Sequence, residues 1–313
     1  MSARPILIDC DPGQDDAMML FLALAHPEKF EVLGVTAVAG NVPLALTERN
    51  ARMLVQLAGR ADVPVHAGCA RPMVRDLVTA EYVHGKTGID GIDIFEPDVE
   101  LGDGHGVDFL VETLLAAEDD SVTLVPTGPL TNIAVALVRA PEIAPKIKEI
   151  VLMGGAMREG GNVTPSAEFN IYVDPHAADV VFRCGRPIVA MGLDVTHQVM
   201  TTRARLEPMK RIDNPVARAS YNMLAFFGHF DAEKYGGEGA PLHDPCTVAY
   251  LLAPELFELK ECRVQVETAS PLTLGHTAVD FWGVTGRPAN ARWAWKVDAD
   301  GFFDLLNDAL ARY

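Results

Sequence analysis

Residues 5–17 read Pro-Ile-Leu-Ile-Asp-Cys-Asp-Pro-Gly-Gln-Asp-Asp-Ala, and this stretch decides the fold. Its beginning, residues 5–9, is short, apolar and rich in branched side chains, which predicts a buried strand. Residues 15–25 then carry apolar side chains three and four positions apart, which is the spacing of one helix face. A buried strand that leads directly into a helix is the repeating unit of parallel α/β sheets.

The same alternation of strands and helices continues through the chain. Further strands are predicted at residues 31–38, 63–66, 121–125, 149–153 and 187–193. Further helices are predicted at residues 44–57, 107–117, 175–182, 214–227 and 302–310. This order predicts an α/β fold of the Rossmann-like kind, in which helices flank an open, mostly parallel sheet. We expect a single domain over residues 1–313.

Two segments interrupt the alternation, at residues 67–106 and 228–243. Long connections in compact domains are often functional, and each of these segments carries a histidine, His84 or His243. Ligands of open α/β sheets gather at the carboxyl ends of the strands, where such connections meet. We therefore predict that both segments are active-site loops.

The composition excludes several classes of partner. The 313 residues are 49% apolar, and 26 basic against 43 acidic residues give a formal net charge of −17. A surface this acidic repels nucleic-acid phosphates and anionic lipids, so neither is expected as a partner. The five cysteines form no Cys-x-x-Cys pair, and we expect neither a signal peptide nor a membrane span from the pattern of residues 1–9. We expect a cytoplasmic protein.

Four carboxylates, Asp9, Asp11, Asp15 and Asp16, fall within eight residues after the first strand. Clustered carboxylates at a strand end are costly unless a cation neutralises them, and oxygen ligands favour calcium or magnesium over zinc. The cluster is not an EF-hand loop, because counting from Asp9 places Gln14 at the sixth position and Leu20 at the twelfth. A magnesium-dependent phosphatase with Asp9 or Asp11 as its nucleophile is one interpretation of this pattern.

Residues 9–17, Asp-Cys-Asp-Pro-Gly-Gln-Asp-Asp-Ala, resemble the amino-terminal signature of the nucleoside hydrolases, the inosine–uridine-preferring family. The resemblance continues in order along nearly the whole chain. It includes Val-Ala-Gly-Asn at 38–41, Leu-Val-Pro-Thr-Gly-Pro-Leu-Thr-Asn at 124–132, Val-Leu-Met-Gly-Gly at 151–155, Ala-Glu-Phe-Asn at 167–170 and Leu-His-Asp-Pro at 242–245. Several ordered motifs make this resemblance far more specific than any one of them.

The resemblance implies calcium-dependent hydrolysis of ribonucleosides of the inosine, uridine and cytidine class to ribose and free base, within purine and pyrimidine salvage. It implies one Ca²⁺ per subunit, held by Asp11, Asp16, Asp244 and the carbonyl oxygen of Thr127. Asp11 is then also the general base on a metal-bound water, and His243 is the acid that protonates the leaving base. Asp9 supports the site without binding the ion.

The resemblance also implies the substrate-binding residues, which combine sugar-binding polar groups with base-side groups. They are Asp15, Asn41, His84, Met153, Asn162, Glu168 and Asn170. A side chain from the segment before His243, namely Phe230, Asp231 or Tyr235, is expected to close over the base. Arg287 and Trp293 are weaker candidates, and Trp293 is better explained by packing. The remaining histidines are expected to be structural: His26, His66, His105, His176, His197, His229 and His276.

Two further interpretations stay open beside the broad-specificity enzyme. One is a hydrolase restricted to pyrimidine ribonucleosides, and the other is a calcium-dependent nucleoside-binding protein without turnover. The resemblance also implies a homo-oligomer, either a tetramer or a dimer, in which apolar interfaces offset the acidic surface.

Overall fold

The computed structural model describes residues 3–235 and 239–313, and for residues 229–235 it describes the backbone only. Over these residues the chain forms one α/β domain around a sheet of nine strands in the order β3-β2-β1-β4-β5-β6-β9-β7-β8. The strands are β1 (Arg4–Cys10), β2 (Phe30–Ala37), β3 (Val65–Ala67), β4 (Val122–Pro126), β5 (Ile147–Met153), β6 (Ile188–Met191), β7 (Phe257–Val266), β8 (Thr277–Asp280) and β9 (Ala291–Val297). The predicted fold class, a mostly parallel sheet in a single domain, is confirmed.

Helices cover both faces of the sheet and form most of the connections. They are α1 (Gln14–Leu24), α2 (Leu44–Leu57), α3 (Glu81–His84), α4 (Gly106–Ala116), α5 (Thr131–Arg139), α6 (Phe169–Val173), α7 (Pro175–Phe182), α8 (Leu193–Thr196), α9 (Arg203–Leu206), α10 (Pro215–Tyr235), α11 (Pro245–Leu252) and α12 (Ala299–Leu310). Short 3₁₀ turns at Pro141–Lys146, Met209–Arg211 and Pro254–Leu256 complete them. No helix of the described chain is long and apolar enough to span a membrane.

Strand β1 lies inside the parallel part of the sheet, between β2 and β4. Its residue Ile8 is paired with Val35 of β2 on one side and with Val125 of β4 on the other. Helix α1, which follows it, is buried along its whole length and packs against α10, α11 and α12. A helix covered on all sides needs apolar residues on more than one face, which explains the run of methionine, leucine and phenylalanine in α1. The signature of residues 9–17 is thereby fixed at the centre of the molecule.

The carboxyl-terminal part of the sheet departs from the predicted alternation. Strand β9 pairs in parallel with β6, whereas β7 pairs antiparallel with both β9 and β8. These three strands were not predicted, because charged and polar residues interrupt β7 and hide its alternating burial. The hairpin of β7 and β8 extends the sheet beyond β9, on the side far from β1.

The two predicted loops differ from one another. Residues 67–106 contain only the short helix α3, and they are irregular as expected. In the second segment, α10 continues through Tyr235, so residues 228–235 are helical and the prediction of a loop over 228–243 is wrong there. The sequence does not indicate that the helix continues past Gly228, because glycine is unfavourable in the interior of a helix.

Candidate active site

The site forms where the connections after four parallel strands meet. Residues 11–16 follow β1, residues 38–41 follow β2, residues 127–130 follow β4 and residues 153–155 end β5. Because β1, β2, β4 and β5 run in the same direction, their carboxyl ends lie at one edge of the sheet. Asp244 reaches this edge from the start of α11, which packs against α1.

Three buried carboxylates come closest together at this edge. Asp15, Asp16 and Asp244 each place an oxygen within 4.8 Å of the others. Burial, followed by the charge of Asp15, raises the pKa of Asp16 to about 7. Burial, followed by the charges of Asp15, Asp16 and Asp11, raises the pKa of Asp244 well above its ordinary range. None of them forms an ion pair with a described lysine or arginine.

Asp11 lies beside this group and is held by its own hydrogen bonds. Its Oδ2 accepts from the backbone N–H of Asn41 at 2.7 Å, and the Asn41 amide donates to the Asp11 carbonyl at 3.0 Å. Asp16 accepts from the backbone N–H of Gly13 at 2.9 Å and from the Thr127 hydroxyl at 2.7 Å. The predicted set of Asp11, Asp16 and Asp244 therefore differs from the closest group, in which Asp15 stands in place of Asp11.

The carboxylate cluster fits a hard cation. One oxygen each of Asp11 and Asp15 is buried without a hydrogen-bond partner among the described residues. Burial, then the charge of Asp16, raises the pKa of Asp11 well above its ordinary range. Two glycines make room for this carboxylate: a Cβ on Gly40 would overlap Oδ2, and a Cβ on Gly128 would lie 2.5 Å from Oδ1. Oxygen-only donors that repel one another are the environment that calcium or magnesium stabilises.

Asp9, at the end of β1, is buried and held by hydrogen bonds from two other elements. Its Oδ1 accepts from the hydroxyl of Thr36 and from the amide of Asn132. Burial raises its pKa to about 7, although both hydrogen bonds lower it. The Asn132 carbonyl oxygen also accepts from the backbone N–H of Cys69, so Asp9 connects β1 to the start of the long segment at 67–106.

A pocket opens above the carboxylates, and most predicted site residues line it. They are Asp15, Asn41, His84, Thr127, Met153, Asn162, Glu168, Asn170, His243 and Asp244. Asp11 and Asp16 are buried and are absent from this lining. Sequence reasoning missed other lining residues, among them His197 and Phe227. His197, which the sequence predicts to be structural, thus lines the pocket. Its position after β6, at the same sheet edge, was the signal that could have found it.

The polar wall of the pocket is rigidly held. Glu168 accepts backbone N–H groups of Gly155, Asn170 and Ile171 at 2.9, 2.8 and 3.1 Å, which caps α6. The Asn170 amide donates to the carbonyl oxygen of Thr127 at 2.7 Å. Asn162 accepts from the backbone N–H of Phe169 at 2.9 Å. These contacts fix polar side chains beside the carboxylates before any ligand binds.

Four other lining residues carry rings and form what we call the ring-lined wall: His84, His197, Phe227 and His243. His84 stacks on Phe227 with 5.6 Å between ring centroids, and the His197 and His243 centroids are 5.8 Å apart. His243 Nδ1 lies 2.7 Å from the Thr196 hydroxyl. Burial, opposed by the charge of Asp15 and reinforced by His197 and His84, lowers the pKa of His243 to about 4. The pocket lining thus combines polar side chains with a group of rings.

The remaining candidates lie elsewhere. Trp293 is fully buried behind the turn at Gly155, where an added Cβ would lie 2.9 Å from its ring, so the packing interpretation is confirmed. Arg287 is exposed and donates to the Gln265 side chain at 3.0 Å, outside the pocket. The side chains of Phe230, Asp231, Tyr235 and His229 fall outside the described residues.

Comparison with known proteins identifies the family to which this scaffold and site belong. The family model of the inosine-uridine preferring nucleoside hydrolases matches residues 6–304. The chain belongs to this family, and it is a ribonucleoside hydrolase, an N-glycosyl hydrolase.

Curated relatives cover the chain almost completely. A pyrimidine-specific ribonucleoside hydrolase, RihA, of Shewanella sp. strain MR-7 is 49% identical over 312 residues, which is 99% of this chain and 97% of that protein. An uncharacterized protein of Schizosaccharomyces pombe is 48% identical over 307 residues, covering 98% of this chain and 99% of its own.

Solved structures of the family superpose closely on this chain. A plant nucleoside hydrolase has a TM-score of 0.91 at 33% identity, and the alignment covers 98% of this chain and 99% of that one. A purine-preferring ribonucleoside hydrolase from Gardnerella vaginalis also has a TM-score of 0.91, at 32% identity and with 98% of both chains covered. The shared fold therefore accommodates hydrolases with different base preferences.

Proposed function

We propose that this protein is a calcium-dependent hydrolase that prefers pyrimidine ribonucleosides, releasing ribose and uracil or cytosine. The observation that carries the proposal is the convergence of buried carboxylates from residues 11–16 and from Asp244 beneath a pocket with a polar wall and a ring-lined wall. Cleavage of an N-glycosidic bond builds positive charge on the sugar and negative charge on the base, so a site with two unlike walls suits it.

The ion would be held by Asp11, Asp16, Asp244 and the carbonyl oxygen of Thr127, one per subunit. Asp244 and Thr127 line the pocket, as Asp15 does, so an ion held by them would be within reach of a substrate in the pocket. When bound, calcium would supply Lewis-acid polarisation of a water molecule and coordination sites for vicinal ribose hydroxyls.

Asp11 is the proposed general base. Its Oδ2 is fixed by the Asn41 N–H, while Oδ1 has no partner among the described residues. Gly40 and Gly128 leave the space that the carboxylate occupies, and the hydrogen bond from Asn41 sets its orientation. A fixed carboxylate oxygen with an open lone pair can accept the proton of the attacking water.

The ribose is proposed to lie against the polar wall. Asp15, Asn41, Asn162, Glu168 and Asn170 line that side of the pocket and carry the donors and acceptors that sugar hydroxyls need. Because their backbone contacts hold them in place, the sugar meets a preorganised surface.

The base is proposed to lie against the ring-lined wall. His243 would assist departure of the base through the ring nitrogen that does not contact Thr196, by donating a hydrogen bond or a proton to the developing negative charge. His84 offers a flat surface together with Phe227, and Met153 also lines the pocket. A flat base bound here excludes water and strengthens its contacts with His243 and with the His84–Phe227 pair.

The preference for pyrimidines is supported by the relatives that share about half of this sequence. The RihA proteins of Shewanella and Photobacterium profundum, at 49% and 48% identity, carry pyrimidine-specific names, whereas the purine-preferring structural neighbour is 32% identical. A broader hydrolase that also accepts inosine is the alternative within the same chemistry.

Two other functions fit the pocket less well. A phosphatase needs cationic groups for its substrate, yet no lysine or arginine lines this pocket among the described residues, and Asp9 is buried against Thr36 and Asn132. A nucleoside-binding protein without turnover would need no unpaired carboxylate oxygen to act as a general base, as Asp11 Oδ1 is proposed to do. Its test is binding of uridine without release of ribose.

The test of the proposal measures kcat/KM for uridine, cytidine, inosine, adenosine and 2′-deoxyuridine. The enzyme is first stripped with EDTA and then supplied with Ca²⁺, Mg²⁺ or no metal. We expect the highest values for uridine and cytidine with Ca²⁺, and little activity on the deoxynucleoside. Activity that survives EDTA unchanged contradicts the metal assignment, and equal values for inosine and uridine contradict the pyrimidine preference.

The remaining proposals concern the cellular context. We propose a cytoplasmic homo-oligomer, a tetramer or otherwise a dimer, that acts in nucleoside salvage without nucleic-acid or membrane partners. Light scattering coupled to gel filtration measures its mass directly. A species of 33.8 kDa, the mass of one chain, would rule out the oligomer.

A further inference from the structure

The buried side chain of Gln14 uses all of its polar groups on the segment that carries His84. Gln14 is the first residue of α1 and has no exposed surface. Its amide nitrogen donates to the carbonyl oxygens of His84 at 3.0 Å and Asp90 at 3.1 Å. Its amide oxygen lies 2.8 Å from Nδ1 of His84. One side chain therefore contacts both the backbone and the ring of His84.

Only one orientation of this amide satisfies all of these contacts. With the amide rotated by half a turn, its oxygen would face two carbonyl oxygens at about hydrogen-bond distance, which is repulsive and leaves buried groups unpaired. The amide oxygen must therefore face Nδ1 of His84. An amide oxygen can only accept, so Nδ1 must carry a proton.

This proton decides what the other nitrogen of His84 can do. A neutral imidazole has one N–H, and a proton on Nδ1 leaves Nε2 as a pure acceptor. Burial lowers the pKa of His84, which favours the neutral ring. His84 lines the pocket, and no hydrogen bond to Nε2 comes from a residue that the structure describes. Stacking on Phe227 prevents the ring from turning away.

We propose that Gln14 is a positioning residue that holds His84 in its Nδ1–H form, so that His84 Nε2 accepts a hydrogen bond from an N–H group of the nucleobase. The second half of this statement rests on the proposed function, because it requires a nucleoside in the pocket. The base recognised this way carries an N–H on its edge, as uracil does at N3 and cytosine does at its N4 amino group. Uracil alkylated at N3 has no proton to donate at that position and is disfavoured.

The base, rather than the ribose, is the partner that the surroundings of His84 favour. Sugar hydroxyls find their donors and acceptors on the wall formed by Asn162, Glu168 and Asn170 and at the carboxylates. His84 instead lies beside an aromatic ring, which gives a flat, weakly polar surface with one acceptor on it. That combination suits the edge of a planar heterocycle.

The first test reads the protonation of His84 directly. Holoenzyme labelled with ¹⁵N-histidine is studied by long-range ¹H–¹⁵N NMR, and the His84 signals are assigned by their loss in His84→Gln. We expect a pyrrole-type shift at Nδ1 and a pyridine-type shift at Nε2 in the wild type. Gln14→Met should move the population toward the Nε2–H form. A wild-type ring with its proton on Nε2, or a tautomer that Gln14→Met leaves unchanged, overturns the proposal.

Asn50 provides a matched control for this substitution. Its amide donates to the carbonyl oxygens of Pro12 at 3.2 Å and Thr87 at 2.8 Å, so it also attaches residues 85–90 to the signature, but it makes no contact with the His84 ring. Asn50→Leu is expected to loosen this attachment while His84 keeps its Nδ1–H form. A change of tautomer in Asn50→Leu equal to that in Gln14→Met means that loop attachment, and not the Gln14 oxygen, sets the proton.

The second test compares uridine with 3-methyluridine. The wild type should have a kcat/KM for uridine about tenfold or more above that for 3-methyluridine, the worth of one buried hydrogen bond. In Gln14→Met the value for uridine should fall by about the same factor, while 3-methyluridine, which has no N3–H, loses little. Equal losses for the two substrates overturn the recognition of N3–H. A wild type that hydrolyses no nucleoside refutes the proposed function, whereas the NMR result still decides the role of Gln14.

Discussion

The floor and the ring-lined wall of the pocket are built in opposite ways. The floor takes Asp11, Asp15 and Asp16 from one turn after β1 and adds Asp244 from a distant helix. The wall takes His84, His197, Phe227 and His243 from four separate segments. The floor takes three of its carboxylates from one turn and holds two of them, Asp11 and Asp16, with hydrogen bonds from Gly13, Asn41 and Thr127, whereas every residue of the wall comes from a different segment. The carboxylates of the floor therefore depend mainly on one short segment of sequence, whereas the shape of the ring-lined wall depends on tertiary packing.

The largest expected effect distinguishes Asp11 from Asp15, the two candidates for the third carboxylate ligand beside Asp16 and Asp244. Asp11→Asn should lower kcat for uridine by about 10³-fold or more, because it removes the proposed base, and it should also weaken calcium binding. Asp15→Asn should lower kcat/KM while calcium affinity, measured by titration calorimetry, stays within about threefold of wild type. The reverse pattern of calcium affinities assigns Asp15, which lies nearest Asp16 and Asp244, to the ion.

The next effect tests the wall. His243→Ala should lower kcat for uridine by about 10²- to 10⁴-fold, the range for a group that assists a leaving base. Hydrolysis of p-nitrophenyl riboside should be much less affected, because its leaving group is already a stable anion. Steady-state kinetics on both substrates make the comparison. If both rates fall equally, His243 positions the substrate rather than assisting departure.

A smaller effect tests whether the floor needs its glycines. Gly40→Ala places a Cβ against Asp11 Oδ2, so the carboxylate must move and kcat should fall by about tenfold or more. Gly228→Ala in α10 is the control, because the nearest atom to its new Cβ lies 4.0 Å away, and alanine favours helices by about 0.8–1.0 kcal/mol. Thermal melts should show Gly228→Ala at or above wild type. Unchanged kcat in Gly40→Ala would show that the Asp11 carboxylate tolerates displacement.

The smallest effect is on stability. Calcium at about a hundred times its Kd should stabilise the folded protein by about 2.7 kcal/mol, because it binds the native carboxylates and relieves their repulsion. The Tm measured by calorimetry should therefore fall when EDTA is added. Asp244→Asn should remove most of this dependence, since it removes one ligand and one of the repelling charges. A Tm in Asp244→Asn that still responds fully to calcium places the ion elsewhere.

Much of the fold was readable because periodicity reports burial directly. The predicted helices at 44–57 and 175–182 coincide with α2 and α7, and the first strand and helix differ from β1 and α1 by one residue at each end. The hairpin of β7 and β8 was not readable, because half-buried antiparallel strands with charged outer faces carry a weak pattern. The end of α10 was missed because packing overrides the low helix propensity of Gly228.

The sequence by itself determined the chemistry of this protein. Four acidic residues fall within eight positions at the end of a buried strand, and their repulsion requires a cation because residues this close in sequence cannot avoid one another in space. The motifs at the later strand ends indicate the family. Only the tertiary structure decided that Asp15 lies nearer Asp16 and Asp244 than Asp11 does, that His197 lines the pocket, and that Gln14 contacts His84. Those contacts join residues far apart in the chain, and a side chain's neighbours across such distances depend on packing that no local pattern encodes.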